Sequence, residues 1–146
     1  MGIDVTAEVT VARPRDEVAA FMVDPANDPQ WIGGLREAAL LGDPPLAVGS
    51  RTRRVASFLG RRIDYVLEVA AYEPGALLDL QSVVAPFPMR VTYSFADAAS
   101  GATVVRNRVR GGPTGAAALL SPVTARMVRR NVERDLRALR ELLERR

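Results

Sequence analysis

The sequence contains no cysteine and no histidine. Without cysteine, the chain has no disulfide framework, no thiolate nucleophile and no cysteine-based metal site. Without histidine, it lacks the usual general base near neutral pH and the commonest metal ligand, so we expect no metal and no other cofactor. These two absences sharply narrow the catalytic chemistry that is open to the chain.

Long apolar runs are missing as well. No run approaches the ~18 apolar residues of a membrane span, and the first residues lack the charged and apolar regions of a signal peptide. We therefore expect a cytoplasmic protein without integral membrane association. Its 146 residues, of which 48% are hydrophobic, predict a single globular domain over residues 1–146 with a substantial core.

Lysine is a third absence, since all 20 basic residues are arginines, against 17 acidic residues. A basic balance can indicate a nucleic-acid or anionic-membrane partner. Here the net charge is only +3, and aromatic residues, which stack on bases, make up 5% of the chain. The arginines are also spread over predicted strands and helix alike. We therefore expect a solvated arginine and glutamate surface and no nucleic-acid partner.

A long amphipathic helix is predicted from Ser121 to Arg146. Ser121 is expected to cap its first N–H groups, and Pro122 suits the first helical position. Apolar residues recur in steps of one, three and four, which is the spacing of one helix face and not of a strand. These residues are Val123, Met127, Val128, Val132, Leu136, Leu139 and Leu143.

The preceding residues predict one strand, two short helices and six further strands. Ile3 to Ala12 alternates between apolar and polar residues, as in a half-buried strand. A first short helix begins at Pro14 and ends before Asp24-Pro25, and Asp28 to Trp31 predicts a second helical turn. The later strands are predicted at Leu35–Leu41, Ser50–Leu59, Arg62–Tyr72, Leu77–Val84, Met89–Ala96 and Ala102–Arg110.

The short connections between these strands determine the predicted sheet. Strands joined by a few residues must be antiparallel neighbours, because parallel crossovers need a dozen residues or more. The pattern therefore predicts an α+β fold, in which helices cover one apolar face of a seven-stranded antiparallel sheet. Long strands twist and curl, so we expect the sheet to curve around the C-terminal helix.

Several short motifs follow one another in order over nearly the whole chain. They are Val11-Ala12-Arg13-Pro14 with Val18 and Phe21, Asp24-Pro25, Trp31, Val48-Gly49-Ser50, Tyr72-Glu73-Pro74 and Gly101-Ala102-Thr103. Together with the order of the elements, they resemble the START, Bet v 1 and polyketide cyclase/dehydrase-like (SRPBCC) superfamily. The resemblance implies a helix-grip fold, with a cavity between sheet and helix that often binds hydrophobic molecules. It implies no particular activity, because no catalytic motif is shared across the superfamily.

Alternation places Tyr65, Tyr93 and Asn107 on the apolar face of the sheet, together with Ser57 or Ser82 if their strands keep the same phase. A buried phenol or amide on that face needs a partner. The alternatives are bonds to one another, to water or loop backbone, and to the polar end of a ligand, which we favour for Asn107. Trp31 is interpreted as a core anchor or as a gate of the cavity. The expected ligand-binding residues are Tyr65, Tyr93, Asn107, Leu67, Met89, Val91, Phe95, Val105, Met127 and Trp31.

Charged side chains add few candidates. Asp64, Glu68 and Asp79 fall out of phase with the apolar face and are expected to be solvated. In the third strand, Arg51 and Arg53 alternate with Thr52 and Arg54, so one of these pairs points inward. Such an arginine either binds a carboxylate or an enolate or extends from a strand end to water. The glycine-rich residues 111–118 and Phe87 are interpreted as lips of an entrance to the cavity.

Three functional hypotheses follow. The leading one is a non-enzymatic binder of a hydrophobic small molecule (lipid-, polyketide- or isoprenoid-like) that is a monomer or a homodimer. The second is a polyketide cyclase, aromatase or dehydratase, in which Tyr65 or Tyr93 donates a proton and Asn107 or an arginine polarises a carbonyl. The third is a protein-interaction module with a filled core. The lack of histidine and of inward-facing carboxylates favours the binder, and no catalytic residue is predicted.

Overall fold

The computed structural model describes residues 3–58, 60–111 and 121–146. These residues form seven strands, two α-helices and two short 3₁₀ turns. The strands are β1 (Ile3–Val11), β2 (Leu35–Leu41), β3 (Arg51–Phe58), β4 (Arg61–Glu73), β5 (Leu77–Val84), β6 (Met89–Asp97) and β7 (Thr103–Gly111). The helices are α1 (Arg15–Val23) and α2 (Ser121–Glu144), and the 3₁₀ turns are Pro25–Gln30 and Ala99–Gly101.

The strands form one antiparallel sheet in the order β1-β7-β6-β5-β4-β3-β2. Five of the six neighbouring pairs are consecutive in the chain, as the short connections require, and β1 with β7 is the exception. Register shifts mark bulges between β2 and β3 and between β4 and β5. Because bulges bend a strand and increase its twist, they curve the sheet.

Helix α2 supplies one side of the core. Val132, Leu136, Leu139 and Leu143 are almost fully buried, and they pack with apolar residues of α1, β1 and β4–β7 in one cluster. Burying a side chain of this kind contributes roughly 1.5–3 kcal/mol. At the other end of the predicted stripe, Val123 is 68% exposed. The stripe is therefore buried only along the later turns of α2.

The C-terminal end of α2 is fastened to the segment that follows β1. Arg13 Nη2 donates to the carbonyl oxygens of Glu144 and Arg146 at 3.0 and 2.6 Å. The backbone N–H of Ala12 donates to Glu144 Oε2 at 2.8 Å. The two bonds from Arg13 satisfy backbone carbonyl groups that have no partner inside the helix.

This architecture confirms the predicted helix-grip fold. The predicted boundaries of the strands agree with the structure to within one residue, and the second short helix is the 3₁₀ turn Pro25–Gln30. The predicted cap rests on the Ser121 side chain, which lies outside the described part of the structure. Among the residues that the structure describes, no helix combines the length and the apolar character needed to cross a membrane.

Candidate functional site

A partly open pocket of about 130 Å³ lies between the sheet and α2. Aliphatic side chains form much of its wall, and a small set of polar side chains faces the same space. We call it the inner pocket. Its described lining residues are Trp31, Ile32, Arg54, Tyr65, Leu67, Leu80, Met89, Val91, Tyr93, Asn107, Val109, Val132 and Asp135.

The charged wall of the inner pocket is built on β3. Alternation along this strand turns Thr52 and Arg54 inward, while Arg51 and Arg53 remain exposed. Arg54 Nη1 donates to Asp28 Oδ2 at 2.8 Å, and Arg54 Nε donates to Thr52 Oγ1 at 3.2 Å. The side chains of Arg54 and Asp28 are only 6% and 3% exposed, so this is a fully buried ion pair.

Asp28 lies behind Arg54, in the 3₁₀ turn Pro25–Gln30, and does not itself line the pocket. Its burial raises the pKa of the carboxyl to about 6, although the charge and the hydrogen bond of Arg54 act in the opposite direction. The Trp31 indole N–H also lies close enough to favour the ionised form. Even so, neither Asp28 Oδ1 nor Trp31 Nε1 has a hydrogen-bond partner of good geometry among the described residues.

A second carboxyl, that of Asp135 on α2, reaches the pocket from the opposite side. Its Oδ1 accepts a hydrogen bond from the Gly33 N–H at 3.0 Å. Partial burial raises the pKa of this carboxyl to about 6, against the effects of that bond and of Arg134. Asp135 is therefore able to exchange a proton not far below neutral pH.

Three aromatic side chains line the pocket, those of Trp31, Tyr65 and Tyr93. The rings of Trp31 and Tyr93 meet edge to face, with centroids 6.0 Å apart. Burial raises the pKa of both Tyr65 and Tyr93 above the usual phenol range. Both phenols therefore remain protonated near neutral pH and are able to donate hydrogen bonds.

Asn107 is the polar residue of β7 that faces the pocket. It pairs with Tyr93 on β6 and with Ala7 on β1, and only 5% of it is exposed. Its Oδ1 has no hydrogen-bond partner in the part of the chain that the structure describes. Leaving a buried acceptor unpaired costs about 1–3 kcal/mol. A ligand that donates a hydrogen bond to this oxygen would remove that cost.

The structure brings most of the predicted ligand-binding residues together. Trp31, Tyr65, Tyr93 and Asn107 line the inner pocket, and so do Leu67, Met89 and Val91. Phe95 and Val105 are buried in the core without lining it. Met127 borders a different depression on α2, beside Val123, Arg126, Arg130 and Asn131.

Three charged residues of the site were not predicted as such. The alternation of β3 permits either Arg51 with Arg53 or Thr52 with Arg54 to face inward. Asp28 falls within a predicted helical turn, and the sequence analysis assigns no role to Asp135. A signal for Asp135 was present, because it follows Val132 by three residues and precedes Leu139 by four, which places it on the apolar face of α2. The expectation that no carboxylate faces inward is therefore wrong.

Two other expectations about polar residues need correction. Asp79 is not solvated: it is 7% exposed and is held by Arg90 and by Thr92 Oγ1 on the outer side of the sheet. Neither Ser57 nor Ser82 lines the pocket. Their hydroxyl oxygens accept hydrogen bonds from Arg36 Nε and from the Met89 N–H, respectively.

The predicted entrance to the cavity is only partly described. Phe87, one of its two predicted lips, is half-buried and lies outside the pocket lining. Most of the predicted glycine-rich lip, residues 112–118, lies outside the described residues.

Comparison with known proteins gives one family and a set of solved structures. A family model described as polyketide cyclase/dehydrase and lipid transport matches residues 2–144. A search of curated proteins found no significant match.

Among similar solved structures, the Zhui aromatase/cyclase from a Streptomyces species is 19% identical, with a TM-score of 0.80 over 100% of this chain and 96% of that chain. A protein from Thermus thermophilus is 19% identical, with a TM-score of 0.81 over 94% of each chain. A START superfamily protein from Mycobacterium smegmatis is 15% identical, with a TM-score of 0.70 over 97% of this chain and 94% of that chain. At these identities the likeness shows the shared fold.

Proposed function

Because the chain belongs to the polyketide cyclase/dehydrase and lipid transport family, we propose that it binds a hydrophobic small molecule with a polar end in the inner pocket. The observation that carries this proposal is the unpaired Asn107 Oδ1, which faces a pocket with largely aliphatic walls. An apolar wall with a few convergent polar groups is the usual layout of a small-molecule site. Arg54, Tyr65 and Tyr93 supply hydrogen-bond donors, and Asn107 supplies an acceptor.

The volume of the pocket bears on the size of the bound group. An apolar cavity of about 150 Å³ holds one benzene molecule, so a space of about 130 Å³ suits one six-membered ring or a short branched chain. A longer ligand would extend through the open side of the pocket. We therefore expect the polar head and the first carbons of the ligand to be enclosed.

Trp31 offers a direct measurement, because it is the only tryptophan and it lines the pocket. Titration with cyclohexylmethanol, which does not absorb above 290 nm, should shift or quench its fluorescence in a saturable way. In parallel, native mass spectrometry of protein purified from its own host should reveal a bound apolar molecule. A protein that is empty in both experiments would contradict the proposal and favour an interaction module.

Replacement of Asn107 by leucine separates binding from stability. We expect affinity for cyclohexylmethanol to fall about tenfold, which corresponds to the loss of one hydrogen bond. The midpoint of thermal unfolding should stay the same or rise, since an unpaired buried acceptor is replaced by an apolar group. Asn131→Leu, on α2 and outside the pocket, is the matched control for the binding titration. Unchanged affinity in Asn107→Leu would remove Asn107 from the site.

A second function, catalysis of a cyclisation or dehydration, is favoured by one observation, the inward carboxyl of Asp135. With its pKa raised to about 6, it could take a proton from a carbon beside a carbonyl group while Arg54 and the phenols hold the oxygen that becomes negative. If a linear poly-β-ketone is converted by the protein, Asp135→Asn should reduce turnover by about 100-fold or more. Asp64→Asn, on an exposed side chain, is the control. Full turnover by Asp135→Asn would exclude this role.

A further inference from the structure

The inner pocket contains one guanidinium group among its described lining residues, that of Arg54. In most binding sites such a group would attract an anion. Here Asp28 already occupies Arg54 Nη1 at 2.8 Å, and both side chains are buried. The positive charge that faces the pocket is therefore compensated before any ligand enters.

The remaining charged group of the lining is Asp135, whose carboxyl is only 13% exposed as a side chain. Arg134 Nε lies 3.8 Å from Asp135 Oδ1, but the Arg134 side chain is 59% exposed, so solvent screens much of its charge. The buried groups, Arg54, Asp28 and Asp135, therefore carry a net charge of −1 when both carboxyls are ionised. Charges interact far more strongly in a buried site than in water, so a ligand carboxylate would meet net repulsion. An uncharged hydroxyl or keto group would meet none, and it would find both donors and an acceptor.

From this arrangement we infer that Asp28 sets the charge selectivity of the pocket: by neutralising Arg54, it admits uncharged alcohols and ketones and excludes carboxylates of the same shape. Asp28 acts through Arg54 and does not touch the ligand, so it is a positioning residue. The inference rests on the proposed function, and it narrows the ligand class to uncharged molecules. Free fatty acids are thereby excluded, whereas fatty alcohols and polyketones are not.

The sharpest test uses Asp28→Asn, which retains a hydrogen-bond acceptor for Arg54 and removes the negative charge. Asparagine has nearly the same size and shape as aspartate, so it fits the buried position of Asp28 without a change in packing. The two ligands are cyclohexylmethanol and cyclohexanecarboxylate, which have the same cyclohexyl ring and differ in the charge of the polar group. Their affinities are measured by Trp31 fluorescence at pH 7.5. Asp64→Asn is the matched control.

We expect the wild-type protein to bind the alcohol at least about 10-fold more tightly than the carboxylate. In Asp28→Asn the preference should disappear or reverse, because Arg54 then lacks a counter-charge. Asp64→Asn should keep the wild-type ratio. A folded Asp28→Asn protein that binds the alcohol but still rejects the carboxylate would overturn the inference and leave the proposed function intact. Failure of the wild-type protein to bind either ligand would instead contradict the proposed function, and the inference with it.

A second measurement does not depend on the Asp28→Asn variant. Cyclohexanesulfonate keeps its charge between pH 5 and pH 7.5, so any change in its affinity reports on the protein. The groups that influence Asp28 are Arg54 on β3, Tyr65 on β4, Tyr93 on β6, and Asp24 and Trp31 on its own segment. Of the carboxyls near the pocket, Asp28 and Asp135 are the two with a pKa of about 6.

Protonation of Asp28 and Asp135 should therefore raise the affinity of the wild-type protein for the sulfonate several-fold between pH 7.5 and pH 5. In Asp135→Asn, part of this rise should remain, since Asp28 still gains a proton. A sulfonate affinity that is independent of pH in both proteins would contradict the inference even if Asp28→Asn failed to fold.

Discussion

Replacing Arg54 with methionine is expected to lower the free energy of unfolding by about 3–5 kcal/mol at pH 8. Methionine can fill the space of the aliphatic stem, but Asp28 loses the guanidinium at 2.8 Å that compensates its charge. An ionised carboxylate that is buried without a partner carries its full desolvation penalty. Urea unfolding at pH 8, followed by circular dichroism, measures the loss.

The same variant should recover stability as the pH falls. Burial already raises the pKa of Asp28 to about 6, and the charge of Arg54 is what limits the rise. Without Arg54, folded Asp28 binds a proton at pH values where the unfolded chain, with an ordinary value of 3.8, has lost it. Stability must then increase as the pH decreases toward 4, because the folded state holds more protons over this window.

Two further variants isolate the ion pair. Arg53→Met removes the neighbouring arginine, whose side chain is 50% exposed, and should change stability by less than about 0.5 kcal/mol. The double variant Arg54→Met with Asp28→Asn contains neither charge and should regain most of the stability that the single variant loses at pH 8. If Arg54→Met were no worse than Arg53→Met at pH 8, the buried pair would not exist as described.

Leu139→Ala is the second substitution with a large expected effect, a loss of about 2–5 kcal/mol in the free energy of unfolding. Leu139 is 0% exposed and belongs to the cluster that joins α2 to the sheet. Truncation removes its transfer free energy and leaves a cavity that the surrounding strands cannot collapse to fill. Denaturant unfolding of the variant checks the value.

Val123→Ala on the same helix is the control, since Val123 is 68% exposed. It should change stability by less than about 0.5 kcal/mol. Equal losses at both positions would mean that the whole length of α2 is packed on the sheet. The contrast between the two variants thus tests which turns of α2 hold the fold together.

The fold could be predicted because its signals are local. Alternation in Ile3–Val11 and spacing along Val132, Leu136, Leu139 and Leu143 each follow from the geometry of one element. Turn residues such as Gly75 and Gly101, both with positive φ, separate strands that short connections then force to be antiparallel. The sequence predicts the start of the second short helix less accurately. The 3₁₀ turn begins at Pro25, three residues before the predicted start.

The charged part of the site could not be predicted in the same way. The phase of β3 permits either Arg53 or Arg54 to face inward, and the choice depends on its pairing with β4, where Arg54 lies opposite Tyr65. Asp28 and Arg54 are 26 positions apart in sequence, and nothing local to either residue indicates that they meet. By contrast, the tyrosines and Asn107 could be placed because alternation alone decides which face they occupy.

The pairing of β1 with β7 has a consequence for how the protein is made. A chain leaving the ribosome exposes Ile3–Val11 long before Thr103–Gly111 exists to pair with it. Until β7 has been made, β1 therefore has no partner strand. The bonds from Arg13 form later still, once Glu144 and Arg146 have left the ribosome. The pairing of Val11 with Thr103 alone closes a loop of 92 residues. Closing such a loop is slow, because the chain loses conformational entropy before the contacts form. Nascent chains that end before β7 therefore expose β1 without its partner, and an unpaired strand with one apolar face favours aggregation.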